Sequence, residues 1–200
     1  MGIKNILKIP QIYELWQKII GDYKLRKLYC RDYVKAKEGD RILDIGCGSA
    51  NMVKYLPSNI DYVGFDESDL YIEKASKKFP QENYSFFCGK INFANDFEEK
   101  FDVIMANAVL HHLDDKEADS LISFAHNNLK AGGRFITLDG CYVDNQSWFK
   151  KWILRNDRGK FVRNKNDYFK LFSKYFEEIK VSVKEDLYNI PYTIIIFECS

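Results

Sequence analysis

The sequence predicts an α/β protein built on a mostly parallel β-sheet with helices on both faces. Short apolar runs alternate with helix-length segments, which is the pattern of consecutive βα units. A Gly-x-Gly turn follows the first apolar run, as in folds that bind a ligand at the carboxyl edge of a parallel sheet. The chain ends in two strand-like runs joined by a short turn, which predicts an antiparallel hairpin.

Five apolar runs are predicted to be the parallel strands. Each run ends at polar or turn residues and leaves enough chain for a crossover helix before the next one. The runs are 41–45, 61–65, 84–88, 101–106 and 134–138. Since helices cover both faces of such a sheet, continuous apolar runs are the expected pattern.

Two segments between these strands have the pattern of amphipathic helices. Asp114 and Glu117 have the spacing of a capping box, and apolar residues recur on one face beyond them. Gly132 and Gly133 are predicted to end this helix. The segment 68–79 shows the same periodicity, which predicts a second helix.

The two ends of the chain differ from the middle. Residues 178–186 and 192–199 are predicted to be the strands of the C-terminal hairpin. The second run is almost wholly apolar, so we expect it to lie between two other strands. Residues 11–38 are predicted to form two helical stretches that pack over the sheet.

Composition and charge exclude several classes of protein. Thirty basic and twenty-nine acidic residues give a net charge of +1, which argues against binding nucleic acid through the whole surface. No apolar run approaches the length of about 18 residues that a membrane span needs, and the start of the chain lacks a secretory signal. The five cysteines form no C-x-x-C pair, which predicts reduced thiols, a cytoplasmic location and no metal site.

The turn after the first strand carries the most specific signal. Its sequence departs from the dinucleotide pattern G-x-G-x-x-G, because the sixth position is Asn51. Asp44 precedes the first glycine by two residues, and a carboxylate there repels a pyrophosphate and attracts a cationic ligand. Asp66 ends the second strand, where a carboxylate can accept the hydroxyls of a ribose. The alternative is that Asp44 and Asp66 only cap turns or helices.

The chain resembles the class I methyltransferases that use S-adenosylmethionine (SAM) over roughly residues 38–140. The matching segments are Asp44–Ala50, Val63–Asp66, Phe101–Leu113 and Leu129–Phe135. The resemblance implies a doubly wound sheet of seven strands with an antiparallel last strand, and SAM as the cofactor. It also implies that Gly46, Cys47 and Gly48 line the methionine side and that Asp66 holds the ribose.

This chain departs from the family pattern after the third strand, where the family usually has an aspartate for the adenine amino group. Lys90 stands there instead, and a lysine cannot accept a hydrogen bond. Adenine recognition then falls to the backbone near Lys90 and Ile91, or to another side chain. The predicted cofactor-binding set also includes Glu67 and Asn107.

Two adjacent histidines follow the fourth strand, beside the expected position of the methyl group. The resemblance places one of them near the methyl acceptor, and His112 matches better than His111. A histidine there can take a proton at neutral pH. The alternatives are that each is a hydrogen-bonded lid residue, or that the two form a metal pair, although no further ligands show a matching spacing.

Residues 146–170 combine an excess of basic residues with interleaved aromatic residues. We interpret this stretch as a wall that binds an anionic acceptor, with Arg158 and Arg163 as the candidate ligands. Tyr142 and the carboxylate of Asp139 follow the fifth strand and are further candidates to face the acceptor. The alternative is a solvated amphipathic helix whose aromatic residues lie in the core.

These observations predict an N-terminal helical lid over residues 1–38 and a SAM-binding methyltransferase domain over 39–200. The acceptor wall is predicted to be an insertion at about 141–176. The predicted activity is methyl transfer from SAM to a small-molecule or carrier-linked acceptor. Two alternatives stay open: an oxidoreductase that uses a nicotinamide cofactor, and a SAM-binding module without catalytic activity.

Overall fold

A computed structural model describes residues 22–89, 97–156 and 159–200. The strands are β1 (Arg41–Ile45), β2 (Asp61–Asp66), β3 (Tyr84–Cys88), β4 (Phe101–Asn107), β5 (Leu129–Tyr142), β6 (Arg163–Asn164), β7 (Ile179–Lys184) and β8 (Ile194–Cys199). Seven of them form a continuous path in the order β3-β2-β1-β4-β5-β8-β7, and the two-residue β6 pairs with the end of β5. The predicted fold class is confirmed.

The parallel part of the sheet places several strand ends at one edge. β1 pairs in parallel with both β2 and β4, and β4 pairs in parallel with β5. The chain order reverses between β1 and β4, because β2 and β3 lie on one side of β1 and β4 and β5 on the other. In open α/β sheets, ligands bind in the crevice outside the carboxyl ends of the strands at such a reversal.

The C-terminal hairpin has the predicted arrangement. β8 is antiparallel to both β5 and β7 and lies between them. Five of its six residues are buried, which explains the almost unbroken apolar run in the sequence.

Helices cover the two faces of the sheet. They are α1 (Asp22–Tyr29), α2 (Asp69–Lys78), α3 (Asp115–Asn128), α4 (Trp148–Asn156) and α5 (Lys165–Phe172), with a π-helical turn at Cys30–Val34 and 3₁₀ turns at Asn51–Tyr55 and Leu110–His112. Side chains of α1 and α2 share one core cluster with β1 and β4, and side chains of α3 and α5 share the other. Of the predicted lid, residues 1–21 lie outside the described residues, and 22–34 are helical as expected.

The predicted end of the third helix is wrong by several residues. α3 ends at Asn128, whose side-chain amide donates to the carbonyl of Phe124 at 2.9 Å. Leu129 then pairs with Phe101 as the first residue of β5. The chain enters the sheet at once, so Gly132 lies within the strand instead of capping the helix.

In the part of the chain that the structure covers, no helix is both long enough and apolar enough to cross a membrane. All five cysteines are free thiols, and four of them are buried.

The capping box of α3 generates a test of the fold. The Asp114 carboxylate accepts from the Glu117 backbone N–H at 2.9 Å, and the Glu117 carboxylate accepts from the Asp114 N–H at 3.0 Å. Replacing Asp114 by Ala should therefore cost about 1 kcal/mol of unfolding free energy. In a thermal melt this lowers Tm by roughly 2–4 °C.

Ser120→Ala is the matched control, since Ser120 is exposed inside the same helix and only donates to the Lys116 carbonyl. It should leave Tm unchanged or raise it slightly. Equal decreases of Tm in the two variants would show that the N-cap residue adds nothing to the stability of the fold.

Candidate active site

The turn between β1 and the 3₁₀ segment at Asn51–Tyr55 requires glycine at two positions for different reasons. Gly46 has a φ of +73°, and a Cβ there would lie 2.5 Å from the Val109 side chain. Gly48 has a φ of +55°, but a Cβ there would meet no atom of the described residues within 4 Å. The buried Cys47 between them donates its backbone N–H to Phe65 of β2 at 2.8 Å. The turn is thus held to β2 by a hydrogen bond, and no described atom fills the space beside Gly48.

Asp44 is the most unusual group at this edge. Its side chain is buried, and one carboxylate oxygen, Oδ2, accepts from the Tyr62 hydroxyl at 2.6 Å. The other oxygen, Oδ1, is buried and has no hydrogen-bond partner among the described residues. Burial raises the pKa of Asp44 to about 7, against the opposing effects of the Tyr62 hydrogen bond and the positive charge of Arg26. A buried acceptor without a donor is costly, and a cationic N–H donor would satisfy it.

Asp66 connects the glycine turn to the end of β2. Its carboxylate accepts the backbone N–H of Gly48 through Oδ2 and that of Ser68 through Oδ1, both at 2.9 Å. Each oxygen keeps a further lone pair, so the group can still accept two hydroxyls. Glu67 beside it is exposed. The other predicted adenine-side residues, Lys90 and Ile91, lie outside the described residues.

Asn107 faces the same side of the sheet as Asp44. Asp44 pairs with Met105, and Asn107 lies two residues further along β4, so the side chains of all three share a face. Both the oxygen and the nitrogen of the Asn107 amide are buried without a partner in the described ranges. The next residue, Ala108, has a left-handed φ of +57°, and its N–H donates to Leu138 at 2.7 Å. A sharp, fixed turn therefore begins directly after Asn107.

The two predicted histidines have opposite environments. His111 is buried, and both its backbone N–H and its ring Nδ1 contact the Asp139 Oδ1, at 3.1 and 2.8 Å. Burial raises the pKa of Asp139, and the hydrogen bonds from His111 oppose that rise. His112 is exposed, with its ring 4.3 Å from that of His111. The sequence indicates Asp139 and His111 separately but not their pairing, since 28 residues separate them.

Arg163 holds the loop that carries these histidines. It is almost fully buried, and its guanidinium donates to atoms of one small region. The acceptors are the carbonyls of Leu110, Leu113 and Phe161 and the carboxylate of Asp115, at 2.7–3.1 Å. All five of its N–H donors have partners within the chain. That Arg163 binds an anionic acceptor stays a prediction, and this geometry gives it a positioning role.

The remaining acceptor-side predictions fall in the segment after β5. Tyr142 is half-buried at the end of β5 and pairs with Asn164. Arg158 lies outside the described residues. The alternative that the aromatic residues of this segment lie in the core is wrong, because Trp148 is 78% exposed and Trp152 is 53% exposed. Leu154 alone in α4 is buried.

No group of three or more His, Cys, Asp or Glu side chains within the described ranges has the arrangement of a metal site. A single histidine can transfer a proton without a metal ion.

Comparisons with known proteins address the family and the fold of the chain. Residues 43–135 match the family model described as a methyltransferase domain. An uncharacterised methyltransferase from Synechocystis is 31% identical over 50% of this chain and 47% of its own length. The malonyl-[acyl-carrier protein] O-methyltransferase of Haemophilus influenzae is 25% identical over 66% of this chain and 55% of its own length. The chain thus spans about half the length of these two curated relatives.

A solved structure shows the same fold. The plantazolicin methyltransferase BpumL, in complex with a triazolic desmethylPZN analogue and SAH, superposes with a TM-score of 0.71. The match covers 96% of this chain and 90% of that one, at 16% sequence identity. The fold is that of a Rossmann-like α/β domain. The resemblance to the SAM-dependent methyltransferases that the sequence predicts is confirmed over residues 43–135, and the predicted cofactor is confirmed with it.

The described residues fit SAM. The buried Asp44 Oδ1 needs a cationic donor, which the ammonium group of the methionine part can supply. The oriented carboxylate of Asp66 can accept the two ribose hydroxyls. The turn at Gly48 leaves room for close approach of the ligand to the backbone.

The pKa of Asp44 predicts how SAM binding depends on pH. Binding of a cation favours the ionised carboxylate, so below a pKa of about 7 the protein must first release a proton. The Kd for SAM should therefore rise roughly tenfold between about pH 7.5 and pH 6. Isothermal titration calorimetry at several pH values measures this slope.

Asp44→Asn supplies the control, because an amide oxygen still accepts from Tyr62 but cannot ionise. It should bind SAM more weakly than the wild type at neutral pH and lose the pH dependence over this range. An unchanged slope in Asp44→Asn would assign the dependence to another group.

Proposed function

We propose that the chain transfers a methyl group from SAM to a small-molecule or carrier-linked acceptor. The observation that carries this proposal is the buried Asp44 oxygen beside the glycine turn, which no described residue satisfies. An acceptor atom in that position suits a positively charged nucleoside and disfavours a pyrophosphate, which argues against a nicotinamide cofactor. Bound there, SAM would supply a methyl group on a sulfonium, which is already a good leaving group.

The relatives and the charge of the chain support one class of acceptor. The names of two matched proteins give a carrier-linked acceptor, malonyl-[acyl-carrier protein], and a small molecule, plantazolicin. The net charge of +1 gives no support for nucleic acid as the acceptor. We therefore place the acceptor in the small-molecule or carrier-linked class, with residues about 141–176 as its wall and 1–38 as a lid. The five free thiols support a cytoplasmic location.

We further propose that His111, rather than His112, takes the proton that a hydroxyl or amine acceptor loses. A carboxylate accepts hydrogen bonds, so the contact of Asp139 with Nδ1 selects the tautomer with a proton on that nitrogen. The other ring nitrogen then carries the lone pair that accepts a proton. A base oriented by a third group in this way is the usual arrangement in enzymes that activate a hydroxyl. Asn107, with both amide atoms unpartnered among the described residues, would contact the bound ligands beside it.

Arg163 has a positioning role in this proposal. It ties the loop Leu110–Leu113 to β6, so that His111 stays in contact with Asp139. An anionic acceptor would then have to be bound by other cations of the segment, including Arg158, as the sequence predicts.

Transfer of the labelled methyl group of SAM into a cell extract tests the proposed activity, and its product identifies the acceptor. With that acceptor, His111→Asn and His112→Asn form a matched pair. His111→Asn should lower kcat by about 10²- to 10⁴-fold, the usual contribution of a general base. The amide of Asn can still donate to Asp139, which preserves the loop. His112→Asn should change kcat less than about threefold, because His112 is exposed.

Calorimetry of both variants with SAM separates loss of catalysis from loss of the site, since neither should change the Kd for SAM. A large loss in His112→Asn alone would make His112 the base and reject the assignment of His111. Tight SAM binding by the wild type without any labelled product would reject methyl transfer and leave a SAM-binding module.

A further inference from the structure

Helix α4 exposes an unusual amount of aromatic surface. Trp148 is 78% exposed, Trp152 53% and Phe149 45%. The rings contact one another, with Phe149 and Trp152 stacked at 6.1 Å and an interplanar angle of 7°. Soluble proteins rarely expose a contiguous apolar patch of this kind, and such a patch usually marks a contact surface.

The exposed face of α4 alternates aromatic and basic residues. Trp148, Lys151, Trp152 and Arg155 have the spacing i, i+3, i+4 and i+7, so they form one stripe along the helix. We call these four residues the α4 stripe. They line a groove of about 570 Å³ together with Asn156. The four side chains lie along one helix face, which an extended surface can contact.

The charge of the α4 stripe is uncompensated in the part of the chain described. Neither Lys151 nor Arg155 forms an ion pair there, while the neighbouring Lys150 pairs with Glu185 at 2.9 Å. Lys160, shortly after the helix, is also exposed. Because the whole chain carries a net charge of only +1, this local positive charge is a specific feature of the segment. It is complementary to a negatively charged surface.

We propose that the α4 stripe binds the protein to the surface of a bilayer that contains anionic phospholipid. Tryptophan rings settle at the level of the lipid headgroups, with an apolar body and a polar N–H. Lysine and arginine between them contact the lipid phosphates. A single-stranded RNA can also stack its bases on tryptophans beside cations. However, a chain with a net charge of only +1 lacks the broad basic surface that follows a polyanion. The combination therefore favours a lipid surface.

The packing of α4 on the sheet determines which part of the protein would lie next to the bilayer. Leu154 is fully buried, and its side chain occupies the space beside Gly140 near the carboxyl end of β5. The preceding residue, Asp139, holds His111. Binding through the α4 stripe would thus place the candidate site next to the bilayer surface. The proposal goes beyond methyl transfer and does not depend on it, because vesicle binding is measured without substrate.

Co-sedimentation with vesicles tests the proposal on the full chain. The vesicles contain phosphatidylcholine alone or phosphatidylcholine and phosphatidylglycerol in equal parts. The wild type should sediment with the mixed vesicles, sediment much less with phosphatidylcholine alone, and be released by salt. Trp148→Ala/Trp152→Ala should lower the partition coefficient at least about tenfold. Lys151→Gln/Arg155→Gln should lower it about 25-fold, at about fivefold for each lost charge.

Control variants use exposed residues elsewhere. Leu70 and Phe87 are 47% and 45% exposed on α2 and β3, at the other end of the sheet. Leu70→Ala/Phe87→Ala should bind vesicles as the wild type does, and so should Lys24→Gln/Lys116→Gln, which removes two exposed charges. Circular dichroism verifies that every variant is folded.

Three results would overturn the proposal. The first is a wild type that does not sediment with the mixed vesicles. The second is stripe variants that sediment as well as the wild type. The third is a wild type that binds RNA and not vesicles. Loss of methyl transfer to a soluble acceptor in the stripe variants, without any vesicle binding by the wild type, would likewise assign the stripe to the acceptor site.

Discussion

The carboxylate of Asp44 lies buried at the end of β1, with one hydrogen bond from Tyr62 and a second oxygen that no described residue satisfies. An ionised carboxylate in such a place is strongly disfavoured, which is why its pKa rises to about 7. An unsatisfied buried acceptor typically costs about 1–3 kcal/mol of stability. A ligand donor bound at the reversal of the strand order would remove this cost. The glycine turn and Asp66 are built around that position.

A second carboxylate organises the other side of the same edge. Asp139 on β5 holds His111 through two contacts, and Arg163 holds the loop that contains His111. Three segments far apart in the chain therefore fix one imidazole ring. Such support from several elements keeps a reacting group in place without further reorganisation. Asn107 lies between the two carboxylates in the strand order, because β4 separates β1 from β5.

Local features of the sequence predicted most of the fold. The strand runs, the capping box at Asp114 and the C-terminal hairpin depend on contacts between close neighbours or on continuous burial, and all three are confirmed. The predicted end of α3 is wrong, because the pairing of Leu129 with Phe101 overrides the glycine signal.

The site was predictable only in part, for the same physical reason. The positions of Asp44 and Asp66 follow from strand ends, which a periodic pattern locates. The pairing of His111 with Asp139 and the partners of Arg163 depend on how distant segments meet, and one sequence carries no signal for that. The exposure of Trp148 and Trp152 is also invisible to periodicity, since an aromatic stripe at helical spacing is usually a core face.

Calorimetric titration of the purified chain with SAM and, separately, with NADH tests the central claim most directly. We expect saturable binding of SAM with one site per chain and no measurable heat with NADH. Tight binding of NADH, with no response to SAM, would mean that the edge of the sheet selects a pyrophosphate, and the assignment of Asp44 and Asp66 would be wrong.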